Sequence, residues 1–134
     1  MPSNITFRQA TPDDVGFLTV TFLKSLADIS AYGDGTRPEV MAFLARSLFT
    51  WAETTIAIEA DEPTVILGWL SYNSPSEVGW IFVRPELRRK GVASALVKHA
   101  GLQLSAPILT PFAPTRLKWL TSRLQLRFRP WMLL

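Results

Sequence analysis

The feature that most constrains this chain is a change of hydrophobic period in its middle. From Val15 to Leu48, and again from Val92 to Leu104, apolar side chains recur every three or four positions, the spacing of half-buried helices. Between Thr54 and Val83 they alternate, or run in short blocks broken by turn residues, as strands do. Helical flanks around a run of strands fold as a sheet covered by helices, so the expected class is α/β.

The boundaries follow from local punctuation. Asn4 to Ala10 alternates and reads as a first strand, ended by Thr11-Pro12-Asp13-Asp14, which combines a cap threonine, a proline at the first helical position and an acid at the third. The spacing predicts a helix over 12–30, then a turn at Tyr32-Gly33-Asp34-Gly35. A second capping box, Thr36-Arg37-Pro38-Glu39, opens a helix ending near Trp51. Thr54 to Glu59 and Val65 to Tyr72 form a hairpin about Asp61-Glu62-Pro63, and Glu77 to Val83 is the expected central strand, stopped by Pro85. A helix over 90–104, a short strand at Pro107 to Thr110, a last helix after Pro111 and Pro114, and an edge strand from Leu126 to Trp131 complete the chain. The order is β-α-α-β-β-β-α-β-α-β, and 134 residues suit a single domain spanning 1–134.

Cysteine is absent, which excludes a disulfide scaffold, a thiolate metal site and a cysteine nucleophile. One histidine among dispersed acids argues against a zinc site, so no metal is expected. The longest apolar runs, such as Gly79 to Val83, fall far short of the roughly 20 residues that span a bilayer. Met1-Pro2-Ser3-Asn4 lacks the basic start and apolar core of a signal peptide. The expectation is a soluble, cytoplasmic protein with no membrane partner. The net charge of +3 conceals an asymmetry: residues 1–67 carry nine acids and four bases, residues 68–134 ten bases and two acids. An anionic ligand is expected at the second half.

The segment from Val83 to Ala93 has the ingredients of an anion cradle. A buried strand ends at Pro85, Arg88, Arg89 and Lys90 follow, and Gly91 stands where a helix begins. The first turn of a helix presents N–H groups without internal acceptors, and its dipole favours negative charge. Gly91 lets main chain approach a phosphate closely, and Ala93 keeps the next turn uncluttered.

Val83-Arg84-Pro85-Glu86-Leu87-Arg88-Arg89-Lys90-Gly91-Val92-Ala93 resembles the central motif of the GCN5-related N-acetyltransferases (GNAT), a strand ending in valine-x-proline followed by arginine-x-x-glycine-x-glycine or alanine. Arg88, Gly91 and Ala93 take the matching positions. The compact length is also similar to small phage-encoded members. The resemblance implies a mixed, mostly antiparallel central sheet flanked by helices, and acetyl-CoA (coenzyme A) as cofactor. It implies that amides from Arg89 to Ala93, with Arg88 and Ser94 beside them, hold the pyrophosphate, and that main chain around Phe82 and Val83 pairs with the pantetheine arm. The implied reaction is acetyl transfer to a primary amine by direct attack, with Val83 N–H as the oxyanion donor.

The catalytic side chains are less sharply marked. Family members often place a tyrosine on the last helix, whereas this one offers Trp119 and no tyrosine. Glu77, at the start of the central strand, is the first candidate for a base acting through water, with Glu53 and Asp34 as alternatives. Tyr32 is placed to contact the acceptor, and Tyr72 is a similar candidate. His99 has a suitable pKa for acid–base work but lies two turns into a helix, where a structural role is expected. The resemblance implies a small-molecule or peptide amine as acceptor. Arg116, Lys118, Arg123, Arg127 and Arg129, with Phe128 and Trp131, keep open a nucleic-acid partner, the less favoured reading. Further alternatives are a catalytically silent coenzyme-A-binding or regulatory protein and a homodimer joined through the final segment.

Overall fold

A computed structural model describes residues 4–27, 45–50, 52–74, 77–87, 90–102, 108–110 and 126–128, the last two segments as main chain. Strand β1 is Ile5–Gln9, β2 Glu53–Glu59, β3 Glu62–Ser74, β4 Glu77–Val83, β5 Ile108–Thr110 and β6 Leu126–Phe128. Helix α1 is Val15–Ala27, α2 covers the helical residues 45–50, and α3 is Val92–Ala100. The strands lie in one six-stranded sheet in sequence order; β1 to β4 pair antiparallel, β5 and β6 join in parallel. This is the mixed, mostly antiparallel sheet flanked by helices that the sequence predicts. The expected last helix lies outside the described residues.

The first strand and helix are tied by a charge. Arg8 on β1 grips Asp14 with two bonds, Nη1 to Oδ2 at 2.7 Å and Nη2 to Oδ1 at 2.8 Å. Asp14 Oδ2 also accepts Thr11 N–H at 2.8 Å, the return half of a capping box. The first turn, Pro12–Asp14, is 3-10, so the regular helix begins at Val15.

Two apolar layers form on the two faces of the sheet. On one, α1 and α2 bring Leu18, Phe22 and Leu48 over Ile56, Trp69, Trp80 and Phe82. On the other, Val92, Leu96 and Val97 of α3 cover Ala57, Leu70, Val78, Ile81 and Val83. Simple alternation would put Val78 with Trp80 and Phe82, yet it faces α3. The β3–β4 register explains this: Ser71 pairs Trp80 and Tyr72 pairs Val78, so Gly79 is an extra residue that reverses the alternation. A second bulge lies in β3, where Ala57 pairs Gly68 and Ile58 pairs Ile66, leaving Leu67 extra. Between Ile58↔Ile66 and Glu59↔Glu62 three more residues loop out, and Pro63, which has no N–H to give a ladder, is among them.

Helix α3 is shorter than the predicted 90–104. Gly91 and Gly101 take φ values of 90° and 70°, left-handed conformations that bound the helix at both ends. Beyond Gly101, Leu102 N–H turns back to the Val97 carbonyl at 3.4 Å and the side chain is buried.

Candidate functional site: the end of β4 and the start of α3

The peptide directions along β4 follow from one bond. Arg84 N–H donates to the Leu67 carbonyl at 3.1 Å, so Arg84 and Leu67 are a hydrogen-bonded pair continuing the Gly68↔Val83 register. Every second residue back, Phe82 and Trp80, then turns its main chain toward β3, and Val83 and Ile81 turn theirs to the β5 side. Gly68 supports this, because the nearest atom to a Cβ built there is the Phe82 carbonyl oxygen. Among the described residues the β4–β5 register falls at Glu77↔Leu109, the first residue of β4. The end of β4 that carries Ile81 and Val83 is thus distant from that pairing.

Beyond Val83 the chain passes through a 3-10 turn, Pro85–Leu87, and returns at Lys90 and Gly91, both exposed. Gly91 is the cap of α3, and its φ of 90° is a conformation that side chains rarely adopt. The Gly91 carbonyl accepts Ala95 N–H at 3.0 Å, closing the first turn and leaving the Val92 and Ala93 N–H groups directed out of the helix end. Val92 is buried at 1% exposure, which anchors the turn against the α3 layer. No acid lies in the first turn, and Lys90 precedes it.

The residues expected at the site are thus partly brought together. Val83, Lys90, Gly91, Val92, Ala93 and Ser94 flank one strand-to-helix passage. Phe82 differs from its neighbours: its main chain turns to β3, and its ring packs on the α1 side, 6.4 Å from Phe17 and 6.2 Å from Trp69. Ile81, which nothing in the motif singles out, turns its peptide the same way as Val83. Glu77 is half-buried at the opposite end of β4, six residues from Val83 and therefore about 20 Å along the strand. From Ile81 it is four residues, about 13 Å. Tyr32, Asp34, Arg88 and Arg89 lie outside the described residues. Glu53 is exposed at the start of β2, and Tyr72 packs at the edge of the α3 layer.

His99 stacks on Phe7, ring centroids 4.1 Å apart and planes 15° from parallel, which joins α3 to β1. That is the structural placement expected of it. Among the described residues no cluster of His, Asp and Glu has the arrangement of a metal site, and no helix is long and apolar enough to cross a membrane.

The sequence profile of the acetyltransferase (GNAT) family matches residues 21–100, from α1 through the end of α3. No curated protein matches the chain. Among solved structures, YjaB of Escherichia coli in its apo form is similar with a TM-score of 0.56 and 22% identity, over 72% of this chain and 64% of that one. A histone acetyltransferase HPA2 and related acetyltransferase of Corynebacterium glutamicum gives 0.54 and 14%, over 71% and 68%. A GNAT family acetyltransferase of Brucella melitensis in complex with acetyl-CoA gives 0.50 and 12%, over 72% and 65%. The chain thus spans about two thirds of the length of these proteins, and at such identities the likeness is one of fold. The profile covers well over half of the chain and includes the strand, turn and helix described above; the chain belongs to the acetyltransferase (GNAT) family.

Proposed function

We propose that this protein binds acetyl-CoA at the β4–α3 passage and transfers the acetyl group to a primary amine by direct attack. The observation that carries the reading is Gly91 at φ 90° as the cap of α3, immediately beyond a strand end whose Ile81 and Val83 peptides turn to the β5 side. The fit is electrostatic and steric: a glycine cap with no side chain, first-turn amides, a lysine beside them and no acid in that turn all suit a pyrophosphate. Val92, Ala93 and Gly91 would hold it through main chain, Lys90 through charge, and Ser94 through its hydroxyl, with Arg88 and Arg89 adding charge from the loop.

When bound, acetyl-CoA supplies a thioester whose carbonyl carbon takes the amine nitrogen as the C–S bond breaks, one proton leaving nitrogen and one reaching sulfur. The chain's own part is alignment and hydrogen bonding. Val83 N–H would donate to the carbonyl oxygen as charge gathers there. Glu77, about 20 Å along β4 from Val83, would take the amine proton through a chain of waters and not by direct contact. Tyr32 would touch the acceptor, a small-molecule or peptide amine.

The test is a panel of peptides, polyamines, aminoglycosides and DNA incubated with acetyl-CoA and read by mass spectrometry. A gain of one acetyl group on an amine, dependent on the protein and lost in Gly91→Asp, is expected. No acetylated product from any amine, with the coenzyme demonstrably bound, would overturn the transferase reading in favour of a silent binding protein.

A further inference from the structure

The exit of β4 carries an attachment for which the proposed chemistry has no use. Arg84, between Val83 and Pro85, donates from its guanidinium Nε–H to the Ile66 carbonyl of β3. Its main-chain N–H donates to the next carbonyl, that of Leu67, at 3.1 Å, and its own carbonyl accepts Leu87 N–H at 2.8 Å. One residue therefore holds two successive carbonyls of β3 while closing the turn Pro85–Leu87. Both carbonyls belong to the bulged stretch of β3, where the ladder with β2 is interrupted. Pro85 disfavours the helical region for Arg84, which restricts the direction of departure further.

Its charge is used loosely by comparison. Glu86 Oε1 lies 3.7 Å from Arg84 Nη1, and the two side chains are 39% and 64% exposed. Exposed pairs of this kind add little, so the bonds to β3 define the residue's part.

We infer that Arg84 is a positioning residue: by holding Ile66 and Leu67 it sets the direction in which the chain leaves β4, and so aligns the Val83 peptide with the Gly91 turn for the coenzyme's pyrophosphate. The role rests on the coenzyme-binding reading above, while the latch itself can be measured without ligand.

Amide hydrogen exchange on ligand-free Arg84→Gln and Glu86→Gln, beside calorimetric titration with coenzyme A at several salt concentrations, tests it. Arg84→Gln is expected to speed exchange at positions 84 and 87 and to weaken coenzyme A binding, each about tenfold, with the salt dependence of binding unchanged. Glu86→Gln is expected to change both by less than about twofold. Exchange at 84 and 87 equal to that of the parent overturns the latch. Lost affinity with a shallower salt dependence overturns it too, since that marks a guanidinium bound directly to phosphate. Absence of coenzyme A binding by the parent chain removes the coenzyme reading and the role assigned to Arg84 within it, whatever the exchange data show. Where Arg84→Gln melts below the assay temperature, both measurements are made at lower temperature on Arg84→Met, which likewise removes the charge and the Nε–H donor, with the same outcomes.

Discussion

Gly68 stands so close to the carbonyl oxygen of Phe82 that a Cβ at position 68 would collide with it. The next atom it would meet, at 3.3 Å, is Val83 Cα. Both neighbours are main chain, which cannot swing aside as a flexible side chain can. The missing side chain therefore sets how near β3 comes to the end of β4 from which the phosphate turn departs.

Gly68→Ala is accordingly expected to push the two strands apart, costing about 1–3 kcal/mol in chemical denaturation and weakening coenzyme A binding in the same variant. Gly16→Ala is the contrast. A Cβ there meets nothing within 4 Å, and the position lies in α1, so a gain of up to about 1 kcal/mol is expected from helix propensity.

The Arg8–Asp14 clamp predicts an acid-sensitive stability. The hydrogen bonds from Arg8 hold the Asp14 carboxyl down to about 2 from its ordinary 3.8, with Thr11 N–H assisting and partial burial opposing. A folded-state pKa below the unfolded one stabilises the fold at pH values above about 4, and the contribution fades as pH falls toward 2. Since the Arg8 partner is partly solvent-screened, the clamp is worth about 1–2 kcal/mol. Asp14→Asn should melt lower than the parent at pH 7 by that amount, and the gap should close on acidification to pH 2.

Thr21 links α1 to the sheet through a fully buried indole. Trp69 Nε1–H donates to Thr21 Oγ1 at 2.9 Å, and the Thr21 hydroxyl in turn donates to the Phe17 carbonyl at 2.8 Å. Thr21→Val keeps the shape but strands the indole N–H, with an expected loss of about 1–3 kcal/mol. Thr21→Ser should recover most of it, as read by denaturant titration.

Much of this was legible in residue order, for reasons that are local. The β2–β3 hairpin and the ends of β4 follow from alternation, Asp61 and Pro85, and the Thr11–Asp14 cap from spacing alone. Gly91 was legible as a helix opener because glycine there has few other uses. What was not legible depends on pairing between distant residues. Nothing near Gly79 marks it as the residue that turns Val78 over to the α3 face, since a bulge exists only relative to Ser71 and Tyr72 across the ladder. The choice of Ile81 with Val83, rather than Phe82, as the peptides on the β5 side is likewise set by the bond from Arg84 to Leu67. Leu104 keeps helical spacing and so predicts an α3 that runs past Gly101, whereas the left-handed turn at Gly101 and the return of Leu102 onto Val97 end it earlier.

The measurement that bears most directly on the central claim is the melting temperature of the parent chain and of Gly91→Asp, with and without saturating acetyl-CoA. A ligand that binds only the folded state raises the midpoint, by an amount corresponding to about 2.7 kcal/mol at a hundredfold excess over Kd. The account predicts such a rise for the parent and none for Gly91→Asp, whose carboxylate would stand where the pyrophosphate belongs. An equal rise in both proteins, or none in the parent, would contradict it.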